Sequence, residues 1–437
     1  MKHRLRTSLI ALALLSLLAA MPGVLADPAP SADHSLALPL ITRNMRLYSV
    51  RDRFGVGLLG SFPGVSNFPG RLSDYADIGT LGFGWYSDWS ASVTPERPDG
   101  VEYVQLISTR NWPPNWSSVD RAIRANRGAT WIIGNEPDVA SQDNRTPAEY
   151  AAIYHQAYTH IKALDPTAQV AIGGVVMPSP LRLRWLEEAL AAYQAAYGVK
   201  MPVDVWNIHV QILPEYLGGE PGLPVGLDDY LSIAEQQKLA ETFPDPDDPG
   251  NQFYFAYNCD SAIFRRMIIK MREWLAARGE RNKPLIISEY GVLFPSTYIA
   301  NHVDEGLQQG TGDQMVVDFM EQTFRFMLTA TDPATGYPAD GNRLVQRWLW
   351  FSLNCPLPRF VGNKVEGFNG SLYRYETQEM TIFGEAYRDL AAAARAGTLS
   401  SLPRVHVEAP SGPVERSPLP PSELPDLTKR PPYFGQP

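Results

Sequence analysis

Eight short apolar runs, at residues 54–59, 82–87, 102–107, 130–135, 170–176, 203–210, 285–289 and 346–352, are separated by stretches whose apolar residues recur with helical spacing. Strand-length runs alternating with helices predict repeated βα units and a parallel sheet, because parallel neighbours need long crossovers. Eight such units close most simply as a (β/α)8 TIM barrel, an α/β fold with long loops at its C-terminal face. The helix at 146–164 is the most legible. Thr146-Pro147-Ala148-Glu149 supplies an N-cap, a first-turn proline and a capping-box glutamate, and Asp165-Pro166 ends it. Other helices are expected at 119–126, 181–197, 261–278, 313–329 and 384–396. The segment 62–76 is loop-rich, so the first two units carry the weakest helical pattern.

Two of the runs end in glutamate followed by a turn-forming residue. Thr130-Trp-Ile-Ile-Gly-Asn-Glu136-Pro-Asp138 closes the fourth strand, and Pro284-Leu-Ile-Ile-Ser-Glu289-Tyr-Gly291 closes the seventh. Active sites of this barrel lie at the C-terminal face, so strand counting brings Glu136 and Glu289 to one mouth. The two-residue repeat of a strand then sets Ile132 and Gly134 beneath Glu136, and Leu285 and Ile287 beneath Glu289. A pair of carboxyls across a cleft suits general acid and nucleophile chemistry on a glycosidic bond. By the same repeat, Val205, Asn207, His209 and Gln211 share a face of strand six, which places His209 near the mouth between the glutamates.

Asn-Glu-Pro after strand four and apolar-Ser-Glu-Tyr-Gly at strand seven, in these ordinal positions, resemble clan A of the retaining glycoside hydrolases. Within it, the spacing is similar to the loosely defined glycosyl hydrolase catalytic core group. The resemblance spans about residues 54–396. It implies that Glu136 is the acid/base, protonated at rest, and that Glu289 is the nucleophile, ionised at rest. It also implies that Asn135 donates to a sugar 2-hydroxyl and that Trp350, at the end of strand eight, floors the sugar site. Asp88, Trp89, His209 and Tyr290 complete the expected substrate-contacting set. The resemblance leaves open which group orients Glu289, because no tyrosine follows strand six where relatives of this clan often carry one. Aromatic residues after strands two and three, Trp85, Trp89, Trp112 and Trp116, point to an oligosaccharide and an endo-acting enzyme.

The chain begins with a basic stretch, an apolar run and Val24-Leu25-Ala26, the pattern of a secretory signal peptide cleaved after Ala26. Its removal takes away Lys2, Arg4 and Arg6 and no acid, deepening the formal charge of −9 to −12. Such acidity argues against nucleic acid and anionic membrane as partners and leaves neutral polymers such as carbohydrate. Protein partners are not indicated. Expected organisation is a signal peptide at 1–26, a loose leader at 27–45, a barrel at 46–402 and a Pro-rich tail at 403–437. Cys259 and Cys355 exclude a disulfide-stapled framework and leave one bond open. No metal-ligand spacing, phosphate loop or nucleophile elbow occurs, so neither metal nor cofactor is expected. The alternative to a secreted hydrolase is a silent barrel of the same fold that binds glycan or cell-wall material.

Overall fold

The computed structural model describes residues 48–215, 217, 221–240, 255–301, 309–357, 359–361 and 364–399. The segments expected as signal peptide, leader and tail lie outside the described residues. Eight strands follow in chain order: β1 Phe54–Gly57, β2 Trp85–Ser87, β3 in two pieces (Glu102–Tyr103 and Gln105–Ile107), β4 Thr130–Asn135, β5 Gln169–Gly174, β6 Trp206–His209, β7 Leu285–Tyr290 and β8 Arg347–Trp350. Every pairing among them is parallel. β1 lies between β2 and β8, the first piece of β3 pairs with β2 and the second with β4, and β4–β5, β6–β7 and β7–β8 follow. Bridges Ala171–Val205 and Val175–Ile208 join β5 to β6 and complete the ring.

Helices α1 Trp116–Ala125, α2 Pro147–Leu164, α3 Pro180–Tyr197, α4 Ser261–Ala277, α5 Gln309–Thr329 and α6 Ile382–Ala396 follow β3, β4, β5, β6, β7 and β8. The capping box of α2 forms as its sequence predicts: the Glu149 amide donates to Thr146 Oγ1 and the Thr146 amide to Glu149 Oε2. Between β1 and β3 the connections hold only 3₁₀ turns, at Leu72–Asp74, Ile78–Leu81 and Pro98–Gly100. Gly, Pro, Ser and Asp crowd this stretch and deny it a helix nucleus.

Two cores separate cleanly. Inside the ring, Trp85, Val104, Leu106, Ile132, Ala171, Val205, Ile286 and Leu349 form one cluster, drawn from β2 to β8 and the residues beside them. Outside, Trp131, Ile133, Val170, Ile172, Ile208, Leu285, Ile287, Trp348 and Trp350 pack beneath the helices. This partition confirms Ile132 and Val205 as inward and corrects β7. Ile286 fills the barrel, while Leu285 and Ile287 face the helices. It also turns Trp348 and Trp350 outward, with Leu349 inside.

Cys259 and Cys355 are both free thiols, so the disulfide left open by the sequence is not formed. Among the described residues no helix is long and apolar enough to cross a membrane.

Candidate active site

β4 delivers the first carboxylate through an unusual backbone. Gly134 has φ +94° and Glu136 φ +43°, the left-handed region that non-glycine residues enter rarely and at a cost. The turn is held by bonds on both sides: the Glu136 amide donates to Gly174 O (3.0 Å), and the Val139 amide to Glu136 O (3.1 Å). Asp143 ties the same turn to the end of β3, accepting from the amides of Thr109 (2.6 Å) and Asn135 (2.8 Å) and from Ser108 Oγ (2.6 Å). Glu136 itself is 6 % exposed.

β7 delivers the second carboxylate by breaking the two-residue repeat. Ile287 and Tyr290 both face the helices three residues apart, and the register with β8 slips between them. That irregularity turns Glu289 into the mouth, where strict alternation would have sent it outward with Leu285 and Ile287.

His209 lies between the glutamates, fully buried, with Nδ1 2.8 Å from Glu136 Oε1 and 3.8 Å from Glu289 Oε2. Its ring crosses β5 at Gly174, where a Cβ would sit 2.4 Å from the imidazole Cδ2. Burial lowers the His209 pKa while Glu289 and Asp138 pull it up. Glu289 receives two further donors, Trp89 Nε1 on Oε2 (2.9 Å) and Gln211 Nε2 on Oε1 (3.0 Å). These answer the question of what orients Glu289: an indole from the β2 loop and an amide just past β6 take the place of a tyrosine. Gly57 at the end of β1 makes room for the indole, since a Cβ there would meet Trp89 Cη2 at 2.7 Å.

Burial pushes the Glu289 carboxyl up to about 7 and the neighbouring Glu136 adds to it, against the pull of His209, Trp89 and Gln211. The ionised Glu289 expected at rest therefore gains ground as pH rises through about 7. One ligand-capable atom from each of Glu136, His209 and Glu289 lies within 4.8 Å of the others, a spacing that a metal ion could also bridge. Both oxygens of Glu289 already face hydrogen-bond donors, an environment built for a carboxylate rather than for coordination.

A cleft of ≈ 400 Å³ opens at Glu289, lined by Phe62, Asp88, Trp89, Asn135, Gln142, Glu289, Phe351, Phe368 and their neighbours. Asp88 and Asn135 thus line the cleft. Asp88 accepts from Ser90 Oγ (2.8 Å) and from the Tyr103 hydroxyl, and Asn135 Oδ1 is buried without a partner.

Two expected contacts are corrected. Trp350 is fully buried, donates its indole N–H to Gly370 O (2.7 Å) and packs on Tyr290, so it cannot floor a sugar site. Tyr290 is equally buried and bonds Thr323 under the helices. Parity within β8 decides Trp350 and the register slip in β7 decides Tyr290, and the cleft aromatic at the end of β8 is Phe351. Trp85 sits in the inner core, and Trp112 and Trp116 pack edge-on with Trp116 tilted against His160. Among the site residues missed from sequence are Gln211, Asp143 and Phe351. Gln211 shares the strand-six face with His209, a signal already present, whereas Asp143 lies in a loop with no pattern to mark it.

Residues 72–213, which include Glu136 and His209, match the family model described as the glycosyl hydrolase catalytic core. With the opposed glutamates, this match defines a glycoside hydrolase. No curated protein matches the sequence. Among solved structures, the chain is similar to a GH128 subgroup II endo-β-1,3-glucanase from Pseudomonas viridiflava, with 17 % identity, 78 % of this chain and 97 % of that one covered, and a TM-score of 0.44. It is also similar to the subgroup II enzyme from Sorangium cellulosum (15 % identity, 77 % and 97 % covered, TM-score 0.42). A curdlan-specific exo-β-1,3-glucanase from Blastomyces gilchristii is a third (17 % identity, 72 % and 95 % covered, TM-score 0.41). Likeness at this level carries no inference about the sugar.

Proposed function

We propose that the protein is an exported, retaining glycoside hydrolase that cleaves β-glycosidic bonds within a polysaccharide or oligosaccharide by double displacement. Glu289 attacks the anomeric carbon while Glu136 protonates the departing oxygen, giving a covalent glycosyl-enzyme. Glu136 then takes a proton from water as that water displaces Glu289 and regenerates both groups. The observation that carries this reading is the short gap between the carboxyls, within 4.8 Å between their nearest ligand atoms. Inverting enzymes need a gap of roughly 6.5–9.5 Å to seat a water, and retaining enzymes about 5–5.5 Å.

His209 beside Glu136 is suited to holding the acid where it can protonate the departing oxygen. The lone acceptor of Asn135 and the carboxyl of Asp88 suit neutral sugar hydroxyls, and Trp89, Phe62, Phe351 and Phe368 offer apolar faces to sugar C–H groups. Aromatic residues spread along an open cleft support internal cleavage. Export rests on the basic, apolar and small-residue pattern of the first 26 residues.

The test is hydrolysis of β-glucan, xylan, mannan, galactan and aryl glycosides, with product stereochemistry followed by NMR. Glu136→Gln and Glu289→Gln should each lower kcat on the preferred substrate by roughly 10²–10⁴-fold. Turnover unaffected by either change would sink the assignment. A first product of inverted configuration would remove the retaining mechanism, and binding without turnover across the panel would favour a silent glycan-binding barrel.

A further inference from the structure

We infer that Gln211 is a catalytic residue with two functions, its amide N–H holding Glu289 and its carbonyl oxygen accepting a hydroxyl of the sugar that Glu289 attacks. The inference rests on the glycosidase reading above and adds a substrate contact to it.

Three observations carry it. The side chain is 2 % exposed, and its backbone is pinned where the Gln211 amide donates to Val176 O (3.1 Å), so the carboxamide has a fixed place beside the nucleophile. Nε2 donates to Glu289 Oε1, the orientation that the ionised nucleophile of the proposed mechanism requires, since an anion only accepts. The opposite end, Oε1, is then buried with no hydrogen-bond partner. A buried acceptor left in that state costs about 1–3 kcal/mol, so a donor at this point strengthens whatever complex supplies it.

The place for that donor is a recess of ≈ 60 Å³ lined by Glu136, Gln211, Leu213 and Glu289. It shares Gln142, Glu289, Phe351 and Phe368 with the larger cleft. The recess is much smaller than the cleft and at that volume has room for a few waters or for ring substituents. A pyranose lying in the cleft against Glu289 can project a hydroxyl into it. Both oxygens of Glu289 are already engaged by Trp89 and Gln211, whereas the amide oxygen of Gln211 has no partner among the recess residues. A hydrogen bond accepted at Oε1 polarises the amide and strengthens the one it donates, so sugar binding favours the ionised, nucleophilic form of Glu289. Val176 and Leu213 keep the recess apolar on its other walls, where a charged substituent would find no partner.

The experiment is a deoxy scan with the substrate that the panel above identifies, each ring hydroxyl of its aryl glycoside replaced by hydrogen, run on the native sequence and on Gln211→Met. In the native enzyme one position should lower kcat/KM by roughly 10- to 100-fold, the size of one hydrogen bond within a charged network. In Gln211→Met the same position should cost little. The variant should also lose kcat by a similar factor with KM nearly unchanged, and its acid limb should move to higher pH as Glu289 loses a donor. Gln211→Met at the native rate, or with the deoxy penalty undiminished, overturns the inference, as does a native enzyme indifferent to every deoxy position. The last comparison needs no variant and stands even if Gln211→Met fails to fold. Failure of the parent reading is distinct, because it appears as activity that survives Glu289→Gln.

Discussion

Single atoms decide much of this site. Gly174 is the clearest case, because His209 occupies the space its side chain would need. Gly174→Ala should displace the imidazole from Glu136 and lower kcat by at least tenfold while the fold survives, to be checked by steady-state kinetics beside circular dichroism. Glu289 illustrates a site held against stability. Its folded-state carboxyl is raised to about 7 by burial, so the folded protein binds this proton more tightly than the unfolded chain does. The sign follows: the protonated acid's contribution is fully present below the unfolded pKa near 4.5 and is lost as pH rises through 7. Glu289→Gln, which keeps the neutral form, should therefore gain stability relative to the native sequence between pH 5 and 8, on the order of 2 kcal/mol. Denaturant titrations at the two pH values check this, and an unchanged difference would refute it. In the native enzyme, kcat/KM should fall as pH drops below about 7, where the nucleophile gains a proton.

Among elements, the loops after β4 and β6 act as one unit because Arg182 of α3 joins them. Its fully buried guanidinium bonds Asp138 Oδ2 (2.9 Å), two residues from Glu136, and Glu215 Oε1 (2.8 Å), and also reaches Gly222 O. Burial pushes both carboxyls up while Arg182 pulls them down. Asp138 thus anchors its loop rather than touching the reaction centre. Arg182→Met should cost about 3–5 kcal/mol in urea unfolding, because it strands two buried acids. Asp138→Asn, which keeps much of the hydrogen bonding, should cost less. The elements themselves were legible where local chemistry repeats: the α2 capping box and the eight apolar runs fall where the sequence sets them. The missing helices between β1 and β3 were legible too, as weakness. What the runs did not reveal was their internal parity. Trp350 and Tyr290 were expected in the cleft and lie under the helices, because both faces of a barrel strand are buried and a wholly apolar run carries no alternation to read.

At the scale of the molecule, closure of the ring makes the site possible. β1 pairs with β8, and one inner cluster takes side chains from β2 through β8, so no strand can leave without opening the core. The described barrel should accordingly unfold in a single transition, with tryptophan fluorescence and far-ultraviolet circular dichroism coinciding; separated midpoints would contradict it. The sequence by itself determined the class of fold, the ordinal places of Glu136 and Glu289 and the inward face of β6, because ring order and periodicity are properties of the chain. Only the tertiary structure decided how Glu289 turns inward, what holds it and which aromatics meet the cleft. Those depend on a register slip in β7 and on contacts between residues as far apart as Trp89 and Glu289, and no local pattern encodes them.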